Sequence, residues 1–411
     1  MKDKKTNDSF DLIVIGGGAA GFFCAIQCAE RQPKLRICIL EKSNKILSKV
    51  KVSGGGRCNV THACFDPKEM VENYPRGKKE LLGPFHKFLC GDMMAWLSDQ
   101  GVETHIESDG RVFPESNKSQ QIIDCFIKLC DQYKIEIRKQ SGVDSIIRVG
   151  ENWDVKTKTE VINAPAVMCT TGSSPAAWKM LGKLGHHIIS PVPSLFTFNI
   201  KSSLIGDLPG ISVPTAIVRI DNMRFEETGP LLITHWGLSG PAILKLSARA
   251  ARQLFDTDYN FQILVNWVGI NKQPIIDEIR ALKKSNGKNL LSNNPLYQIP
   301  KRLWLSMLGH VQLLKKNYAD LSKKDINNLG DVISECRFNV DGKSTFKDEF
   351  VTCGGVDTKE VNFKSMESKL HPGLFFAGEV LNIDAVTGGF NFQAAWTGAY
   401  IAAETIVKRL E

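Results

Sequence analysis

The feature that most constrains this chain is a strand, turn, helix and strand pattern near its start. An apolar run from Leu12 to Ile15 leads into Gly16-x-Gly18-x-x-Gly21 and an apolar helical segment, and a second apolar run ends at Glu41. In this order the glycines permit a sharp turn, close approach of a pyrophosphate to the backbone, and tight packing of the helix on the strand. The helix amino terminus adds oriented N–H donors and partial positive charge. The pattern predicts a dinucleotide site at the edge of a parallel α/β sheet.

Glu41 indicates which dinucleotides fit that site. A carboxylate at the end of the second strand can accept hydrogen bonds from both hydroxyls of an adenosine ribose, whereas it would repel a 2′-phosphate. The sequence therefore favours FAD or NAD(H) over NADP(H) at this position.

Length and charge limit the classes of protein to which this chain can belong. The chain has 411 residues and 43% hydrophobic content, which predicts a globular protein of two or three domains. Its formal net charge is +8, but the basic residues are dispersed along the sequence and no nucleic-acid-binding motif accompanies them. We interpret the charge as a mildly basic enzyme surface, expect a small-molecule substrate, and expect no nucleic acid partner.

Several sequence patterns indicate the cellular compartment of the protein. The lysines before the first apolar run superficially resemble a secretory signal, but the dinucleotide turn explains the glycines and no cleavage pattern follows. No stretch is long and apolar enough to span a bilayer. The eleven cysteines lack Cys-x-x-Cys pairs and zinc spacing, and we interpret Cys24, Cys28, Cys125 and Cys130 as core residues of a reduced protein. We expect a cytoplasmic protein with no membrane segment and no metal site.

The carboxyl-terminal region distinguishes FAD from NAD. A strand ending at 377–379 would place the Glu379 carboxylate at the carboxyl edge of the sheet, where it can bind a ribityl hydroxyl or pyrophosphate-bound water. A glycine turn at 387–391 then precedes the last helix, whose N–H groups and dipole would stabilise negative charge at the pyrimidine end of a flavin. The alternative is an ordinary glycine turn that caps a helix. Because NAD alone needs no second site here, the pattern favours FAD.

Apolar spacing divides the rest of the chain. It predicts a helix over 116–133 after the first nucleotide-binding unit. Strands predicted over 135–138, 145–149 and 153–157 then form a small meander. A further buried strand, 166–169, returns to the cofactor region. The fold class we predict is α/β, with a discontinuous Rossmann-like FAD-binding domain and an inserted domain. The boundaries are 1–194 and 346–411 for the FAD-binding domain and 195–345 for the insert, which is β-barrel-like over 195–270 and helical over 271–335.

Four blocks of sequence are far more specific together than any one alone: Lys51 to Thr61 (KVSGGGRCNVT), Gly110 to Pro114 (GRVFP), Thr234 to Pro241 (THWGLSGP) and Gly378 to Gln393. They resemble the YhiN/BaiN-like bacterial flavoproteins, a family of NAD(P)/FAD-dependent oxidoreductases, and the resemblance extends from Asp11 to the end of the chain. It implies bound FAD and an inserted barrel-like plus helical domain. Some members are regarded as reductases of carbon–carbon double bonds, a substrate assignment that we do not carry over.

The predicted cofactor contacts come from the two glycine turns, the strand ends and the triple-glycine loop. They are Gly16, Gly18, Ala19, Ala20, Gly21, Glu41, Lys42, Gly55, Gly56, Arg57, Cys58, Asn59, Val143, Thr171, Gly172, Gly378, Glu379, Gly388, Gly389, Phe390 and Asn391. In the triple-glycine loop the backbone can run against a flat ring or a pyrophosphate, and Arg57 can neutralise a phosphate or a flavin anion. A purely structural loop is the alternative.

Three residues are candidates for catalysis, each with a structural alternative. Cys58 could be a redox-active thiol acidified by Arg57, or a buried inert thiol. His235 could donate a proton to the substrate from the turn before a helix predicted over 242–254, or be a structural histidine. Arg111 could bind an anionic group or form an ion pair.

Two further patterns have no assigned chemistry. We interpret His186 and His187 as surface or interdomain residues, because no acidic or thiol residues lie near them at a useful spacing. The paired glycines in the segment 352–356 would either pass close to the isoalloxazine or form a return turn.

The sequence therefore predicts an FAD-dependent oxidoreductase in which NAD(P)H passes hydride to flavin N5 and an unidentified small organic acceptor is reduced. Because the chain has one G-x-G-x-x-G unit and FAD would occupy it, the nicotinamide would dock transiently, and oxygen is an alternative acceptor. A flavin-containing RNA-interacting or RNA-modifying protein is the alternative that the lysines of 272–324 support. An NAD-dependent dehydrogenase without flavin is a third possibility.

Overall fold

The computed structural model describes residues 9–344 and 351–411. These residues form two compact units, one comprising 9–192 with 351–411 and the other comprising 193–344. The first unit is therefore discontinuous in sequence, and the second is inserted between its two parts.

The strands of the first part of the chain are β1 Leu12–Ile15, β2 Ile37–Leu40, β3 Thr61–His62, β4 Thr104–Ile106, β5 Arg111–Pro114, β6 Glu136–Arg138, β7 Val143–Val149, β8 Asn152–Thr157, β9 Val161–Ala164, β10 Ala166–Cys169 and β11 Ile188–Ser194. Those that follow are β12 Thr197–Asn199, β13 Ser212–Ile220, β14 Glu226–Ile233, β15 Gly237–Ser239, β16 Asn260–Asn266, β17 Cys336–Asp341, β18 Lys343–Ser344, β19 Val351–Val356, β20 Val361–Asn362, β21 Glu367–Ser368 and β22 Leu374–Phe376.

The α-helices are α1 Ala19–Arg31, α2 Ser48–Gly56, α3 Pro67–Val71, α4 Lys78–Phe85, α5 Cys90–Asp99, α6 Ser119–Gln132, α7 Pro175–Lys183, α8 Pro241–Arg249, α9 Ala251–Asp256, α10 Lys272–Ser285, α11 Lys301–His310, α12 Lys323–Ser334 and α13 Phe390–Leu410.

The core of the first unit is a seven-stranded sheet in the order β20-β21-β22-β10-β1-β2-β6. The strands from β22 to β6 run parallel, and β1, β2, β10 and β22 are buried along their whole length. Continuous apolar runs are typical of strands buried on both faces by helices. From β1 the chain continues to β2 on one side and returns to β10 on the other, which places the topological switch point between β1 and β10.

One strand lies in a different sheet from the one predicted. We predicted β6 as part of the meander, but it pairs in parallel with β2, with Ile39 opposite Ile137. The antiparallel meander consists instead of β7, β8 and β9. The reason is that α6 lies between β2 and β6, and a parallel neighbour requires such a crossover helix.

The second unit is built on an antiparallel sheet in the order β17-β16-β13-β14-β15-β12-β18. Its two edge strands, β17 and β18, follow one another with Gly342 between them, so the sheet curls back on itself as predicted for a barrel-like insert. Helices α10, α11 and α12 pack their apolar faces into the same core. The helix predicted over 242–254 divides at Ala250 into α8 and α9.

Within residues 9–344 and 351–411, no helix has the length and apolar content that crossing a membrane requires.

Candidate functional site

Four strands of the first unit end at the same edge of the parallel sheet. The loops that follow β1, β2, β10 and β22 carry Gly16, Glu41, Thr170 and Gly378. A Cβ added to Gly16 would lie 2.5 Å from the Thr170 carbonyl oxygen, and one added to Gly378 would lie 3.4 Å from the Cβ of Ala20. Because parallel strands present their carboxyl ends together, these loops form one site at the switch point.

The first glycine turn combines two kinds of glycine. Gly16 has φ 112° and packs against Thr170, whose hydroxyl donates to the carbonyl oxygens of Ile15 (3.1 Å) and Gly16 (3.0 Å). Gly18 has an extended backbone with φ −98°, and an added Cβ would meet no described protein atom within 4 Å. Protein packing therefore requires glycine at position 16, whereas Gly18 borders open space at the start of α1.

Glu41 is held at this turn by backbone donors. Its Oε2 accepts from the N–H of Gly17 at 2.9 Å and its Oε1 from the N–H of Ser43 at 2.8 Å. Each carboxylate oxygen has a second lone pair available for a ligand hydroxyl. Lys42 is exposed and its Cβ lies 3.4 Å from a Cβ added to Gly142, immediately before the predicted contact Val143.

The loop after β10 contains a buried polar atom that needs a partner. The hydroxyl oxygen of Thr171 is buried and, among the described residues, it makes no hydrogen bond. Gly172 follows with φ 57°, and a Cβ added to it would lie 3.9 Å from Oε2 of Glu379. Glu379 forms an ion pair with Lys49. Buried hydroxyls are generally paired, so the orphan at Thr171 fits a ligand with polar groups in this crevice.

The start of α13 is held by contacts with β3 and its neighbours. Asn59, with its amide oriented to satisfy its hydrogen bonds, accepts from the N–H of Gly389 at 3.0 Å. His62 contacts the Gly388 carbonyl through Nδ1 at 3.0 Å and stacks on the Phe390 ring, with the centroids 4.5 Å apart. Asn391 accepts from the N–H of Ala385 at 3.0 Å. Five of the predicted contacts thus meet here, and packing explains part of the glycine turn.

The triple-glycine loop has a left-handed backbone. The φ angles of Gly54, Gly55 and Gly56 are 57°, 69° and 84°, a conformation that side chains other than glycine rarely adopt. Gly55 and Gly56 are exposed, and in the part of the chain that the structure describes no atom lies closer than 4.0 Å to an added Cβ, so the loop offers bare backbone.

The two predicted anion-binding arginines already share a carboxylate. Arg57 pairs with Glu107 at 2.6 Å and lies 3.9 Å from the ring centroid of Phe113. Arg111 pairs with the same Glu107 and with Asp109, each at 2.7 Å. Of the two interpretations of Arg111, the structure shows the ion pair.

The surroundings of Cys58 disfavour the hypothesis of an acidified thiol. The side chain is fully buried, and burial raises the pKa of the Cys58 thiol to about 12. Because a thiol with such a pKa is protonated at neutral pH, it is a poor nucleophile. The interpretation as an inert buried thiol is the one the structure supports.

His235 lies in the second unit, on the turn between β14 and β15. Its side chain is exposed, as is that of Trp236, which is 58% exposed. The predicted proton donor is therefore accessible to solvent and to ligands.

Two other sequence interpretations need correction. His186 is buried within the first unit rather than at a surface, because its Nδ1 contacts Glu360 at 2.8 Å and its Nε2 contacts Ser368 at 3.1 Å. Gly354 and Gly355 lie inside strand β19 rather than in a return turn. A Cβ on Gly355 would lie 2.5 Å from the Val380 carbonyl oxygen, so strand packing explains this glycine.

Sequence reasoning missed several residues that shape the site. Thr170 braces the first glycine turn, Lys49 pairs with Glu379, and His62 supports the start of α13. Lys49 and Glu379 are 330 positions apart in sequence. No spacing pattern in one chain announces such a long-range pair, although Thr170 follows a recognisable buried strand.

Comparisons with known proteins agree with this geometry. A family model described as HI0933-like protein Rossmann domain matches residues 10–405. The ribosomal RNA dihydrouridine synthase of Haemophilus influenzae is 31% identical and covers 97% of this chain and 98% of its own. The 3-dehydro-bile acid delta(4,6)-reductase of Clostridium scindens is 22% identical, and the match covers 96% of this chain and 98% of the reductase. A solved 3-ketosteroid-delta4-(5alpha)-dehydrogenase from Rhodococcus jostii RHA1 shares the fold at a TM-score of 0.53 and 13% identity, with 99% of this chain and 98% of that one covered.

Proposed function

This chain belongs to the HI0933-like Rossmann-domain family, and we propose that this FAD-dependent oxidoreductase reduces a carbon–carbon double bond conjugated to a carbonyl group, using NAD(P)H as the hydride source. Membership confirms the predicted family resemblance, the Rossmann-like FAD-binding fold and the class of enzyme. The donor, the acceptor and the individual cofactor contacts are proposals.

The open space at Gly18 is the observation that carries the proposed FAD site. Gly18 begins α1 at the carboxyl edge of the sheet, and no atom of residues 9–344 or 351–411 explains the missing side chain. We assign the pyrophosphate to the backbone N–H groups at Gly18, Ala19 and Ala20, and the adenosine ribose to Glu41. The orphan hydroxyl of Thr171 lies at the same edge and would bind a polar group of the same ligand.

The flavin end is assigned to the start of α13. The first amides of this helix and its dipole would favour negative charge on the ring, while Asn59 and His62 hold the helix start in place. When bound, FAD supplies hydride transfer from a reduced nicotinamide to the acceptor.

The acceptor class follows from what the names of two relatives have in common. A delta(4,6)-reductase and a dihydrouridine synthase both saturate a double bond that is conjugated to a carbonyl group. For uridine, hydride adds to C6 and a proton to C5, while NAD(P)H becomes NAD(P)⁺. Conjugation with the C4 carbonyl stabilises the negative charge that hydride addition creates.

We propose uridine in ribosomal RNA as the acceptor. The relative with the RNA-directed name is the more similar of the two reported, at 31% against 22% identity, and both matches span nearly the whole chain. The sequence alone favoured a small organic acceptor over RNA. We prefer RNA here because of the names of the relatives. An RNA substrate also agrees with the predicted cytoplasmic location.

The reaction is tested with purified protein and anaerobic additions of NADH or NADPH. We expect bleaching of a yellow cofactor and, with a ribosomal RNA transcript made in vitro, nucleosides that carry two additional hydrogen atoms by mass spectrometry. A 4-ene-3-oxosteroid serves as the small-molecule arm. Reduction of the steroid but not of the RNA would reject uridine as acceptor, and a colourless protein free of FAD would reject the whole proposal.

His235 remains our candidate for the proton donor. His235→Gln is expected to lower kcat by about 100-fold, the usual scale of a lost general acid, without changing the flavin spectrum. His310→Gln, at another exposed histidine, is the matched control. Equal rates for the two variants would remove His235 from the reaction.

A further inference from the structure

We propose that a lysine surface on the helical part of the second unit binds the phosphate backbone of RNA, an inference that rests on the proposed RNA substrate. The lysine surface is defined as Lys283, Lys284, Lys288, Lys315, Lys316, Lys323 and Lys324. It would hold the polynucleotide by charge and leave recognition of the base to other residues.

The net charge of the whole chain is concentrated in this part of the sequence. Residues 272–324 contain 11 lysines and arginines but 3 aspartates and glutamates, whereas the chain contains 52 and 44. Outside this segment the two signs are therefore equal in number. The basic residues are dispersed along the chain, but their excess over acidic residues falls within this one stretch of 53 residues.

The fold brings two lysine-rich segments of this stretch together. Just beyond α10, the carbonyl of Gly287 accepts from the N–H of Ala319 at 2.9 Å and that of Asn289 from Tyr318 at 3.1 Å. Lys283 donates to the carbonyl of Leu321. The lysines that end α10 and those of 315–324 consequently lie on one surface.

Acidic side chains leave most of this charge uncompensated. Lys316 pairs with Asp325 at 2.8 Å. Among residues 9–344 and 351–411, none of the five exposed members of the surface has a carboxylate within ion-pair distance; these are Lys284, Lys288, Lys315, Lys323 and Lys324. Neighbouring like charges repel, so a polyanion that neutralises them gains affinity through release of its counterions.

The side chains between the lysines favour RNA over an anionic membrane. Asn286 and Asn289 are exposed beside Lys284 and Lys288, and Asn328 is exposed four residues after Lys324 on α12. Their amides can hydrogen-bond phosphate and ribose oxygens. A membrane-binding surface would add several exposed apolar side chains for insertion. In the described part of 283–324, Leu314 is the one large apolar side chain that is substantially exposed, at 41%.

The test compares two variants with the same change in net charge. The surface variant replaces Lys284, Lys288, Lys315, Lys323 and Lys324 by Ala. The control replaces Lys128, Lys139, Lys158, Lys179 and Lys183, which are exposed on the first unit. A third protein carries Arg at the five surface positions, and circular dichroism verifies that all of them fold.

Affinity for a fluorescent ribosomal RNA transcript is measured over a range of salt concentrations. We expect the surface variant to bind at least about tenfold more weakly. The slope of log affinity against log salt concentration should become shallower by about 3.5 to 4.5, because each of the five lost phosphate contacts removes about 0.7 to 0.9. The control and the Arg variant should match the wild type. Bleaching by NAD(P)H should be the same in all proteins.

Equal binding by the surface and control variants would overturn the lysine surface. Loss of binding to phosphatidylserine vesicles, with RNA binding unchanged, would assign the surface to membranes and overturn the RNA proposal. If the wild type binds RNA through these lysines yet reduces no uridine, the proposed reaction fails while the surface stands. If uridine is reduced and the surface variant keeps its KM for RNA, the reaction stands and the surface fails.

Discussion

The starts of α1 and α13 look alike in sequence but differ in what surrounds their glycines. Each helix begins at a glycine, and within the described chain no side chain caps either one. At α1, a Cβ on Gly18 would meet no atom of the described residues within 4 Å. At α13, a Cβ on Gly389 would lie 2.5 Å from the carbonyl carbon and oxygen of Thr61.

This difference separates a glycine that a ligand requires from a glycine that the protein requires. Gly389 has φ 93° and fits closely against β3, so folding alone selects glycine there. Gly18 has a backbone conformation open to any residue, so folding alone does not. We infer that ligand binding constrains the first start and packing constrains the second, and four substitutions test this contrast.

The largest effect is expected for Gly389→Ala. The positive φ and the overlap with Thr61 should together lower the free energy of unfolding by about 3 kcal/mol, a large part of the stability of a typical domain. Chemical denaturation of the FAD-free protein measures this. Gly55 has a positive φ, but an added Cβ would meet no atom of residues 9–344 or 351–411 within 4 Å, so Gly55→Ala should lower the free energy of unfolding by about 1 kcal/mol. Similar losses for the two variants would show that packing does not govern the second start.

Gly18→Ala should weaken FAD binding and leave the stability of the protein nearly unchanged. We expect the unfolding free energy of the FAD-free protein to change by less than about 0.5 kcal/mol, because the new methyl group meets no atom within 4 Å in the described parts of the chain. The affinity for FAD should fall by about 30-fold, or about 2 kcal/mol, because the methyl would occupy the space of the pyrophosphate. Fluorescence titration with FAD measures the loss. Gly83→Ala, at an exposed glycine of α4 with equally open surroundings, should keep full affinity.

Glu41→Ala tests the ribose contact at the first start. Loss of the carboxylate should weaken FAD binding by about tenfold, because a hydrogen bond to a charged acceptor contributes about 1.5 kcal/mol. The FAD affinity of Glu41→Gln should lie between those of Glu41→Ala and the wild type, since the amide oxygen can still accept a hydrogen bond from Gly17 or Ser43. Unchanged FAD affinity in Glu41→Ala would contradict the assigned role.

The smallest effect is expected for Cys58→Ser, near the second start. Because burial raises the pKa of the thiol to about 12, the group stays protonated up to well above pH 9. The rate of reduction between pH 6 and 9 should therefore keep the wild-type profile to within about twofold, with a stability loss of about 1 kcal/mol. An alkaline limb that disappears in this variant would restore Cys58 as a redox-active thiol.

Only part of the candidate site could be predicted from the sequence. The glycine turn, Glu41 and the buried strands could be predicted because each leaves a local pattern of apolar runs and turn residues. The ion pair of Arg57 with Glu107 and the burial of His186 by Glu360 and Ser368 could not. Those contacts join residues between 50 and 182 positions apart, and spacing within one segment contains no information about them.

By itself, the sequence determined the parallel strands, the discontinuous cofactor domain and the glycine turn that begins α1. It could do so because hydrophobic period and backbone freedom act over a few neighbouring residues. The tertiary structure decided which glycines face open space and which face β3, where β6 pairs, and that the lysines of 283–324 meet on one surface. Steric overlap and the pairing of charges depend on distances between segments, and folding alone sets those distances.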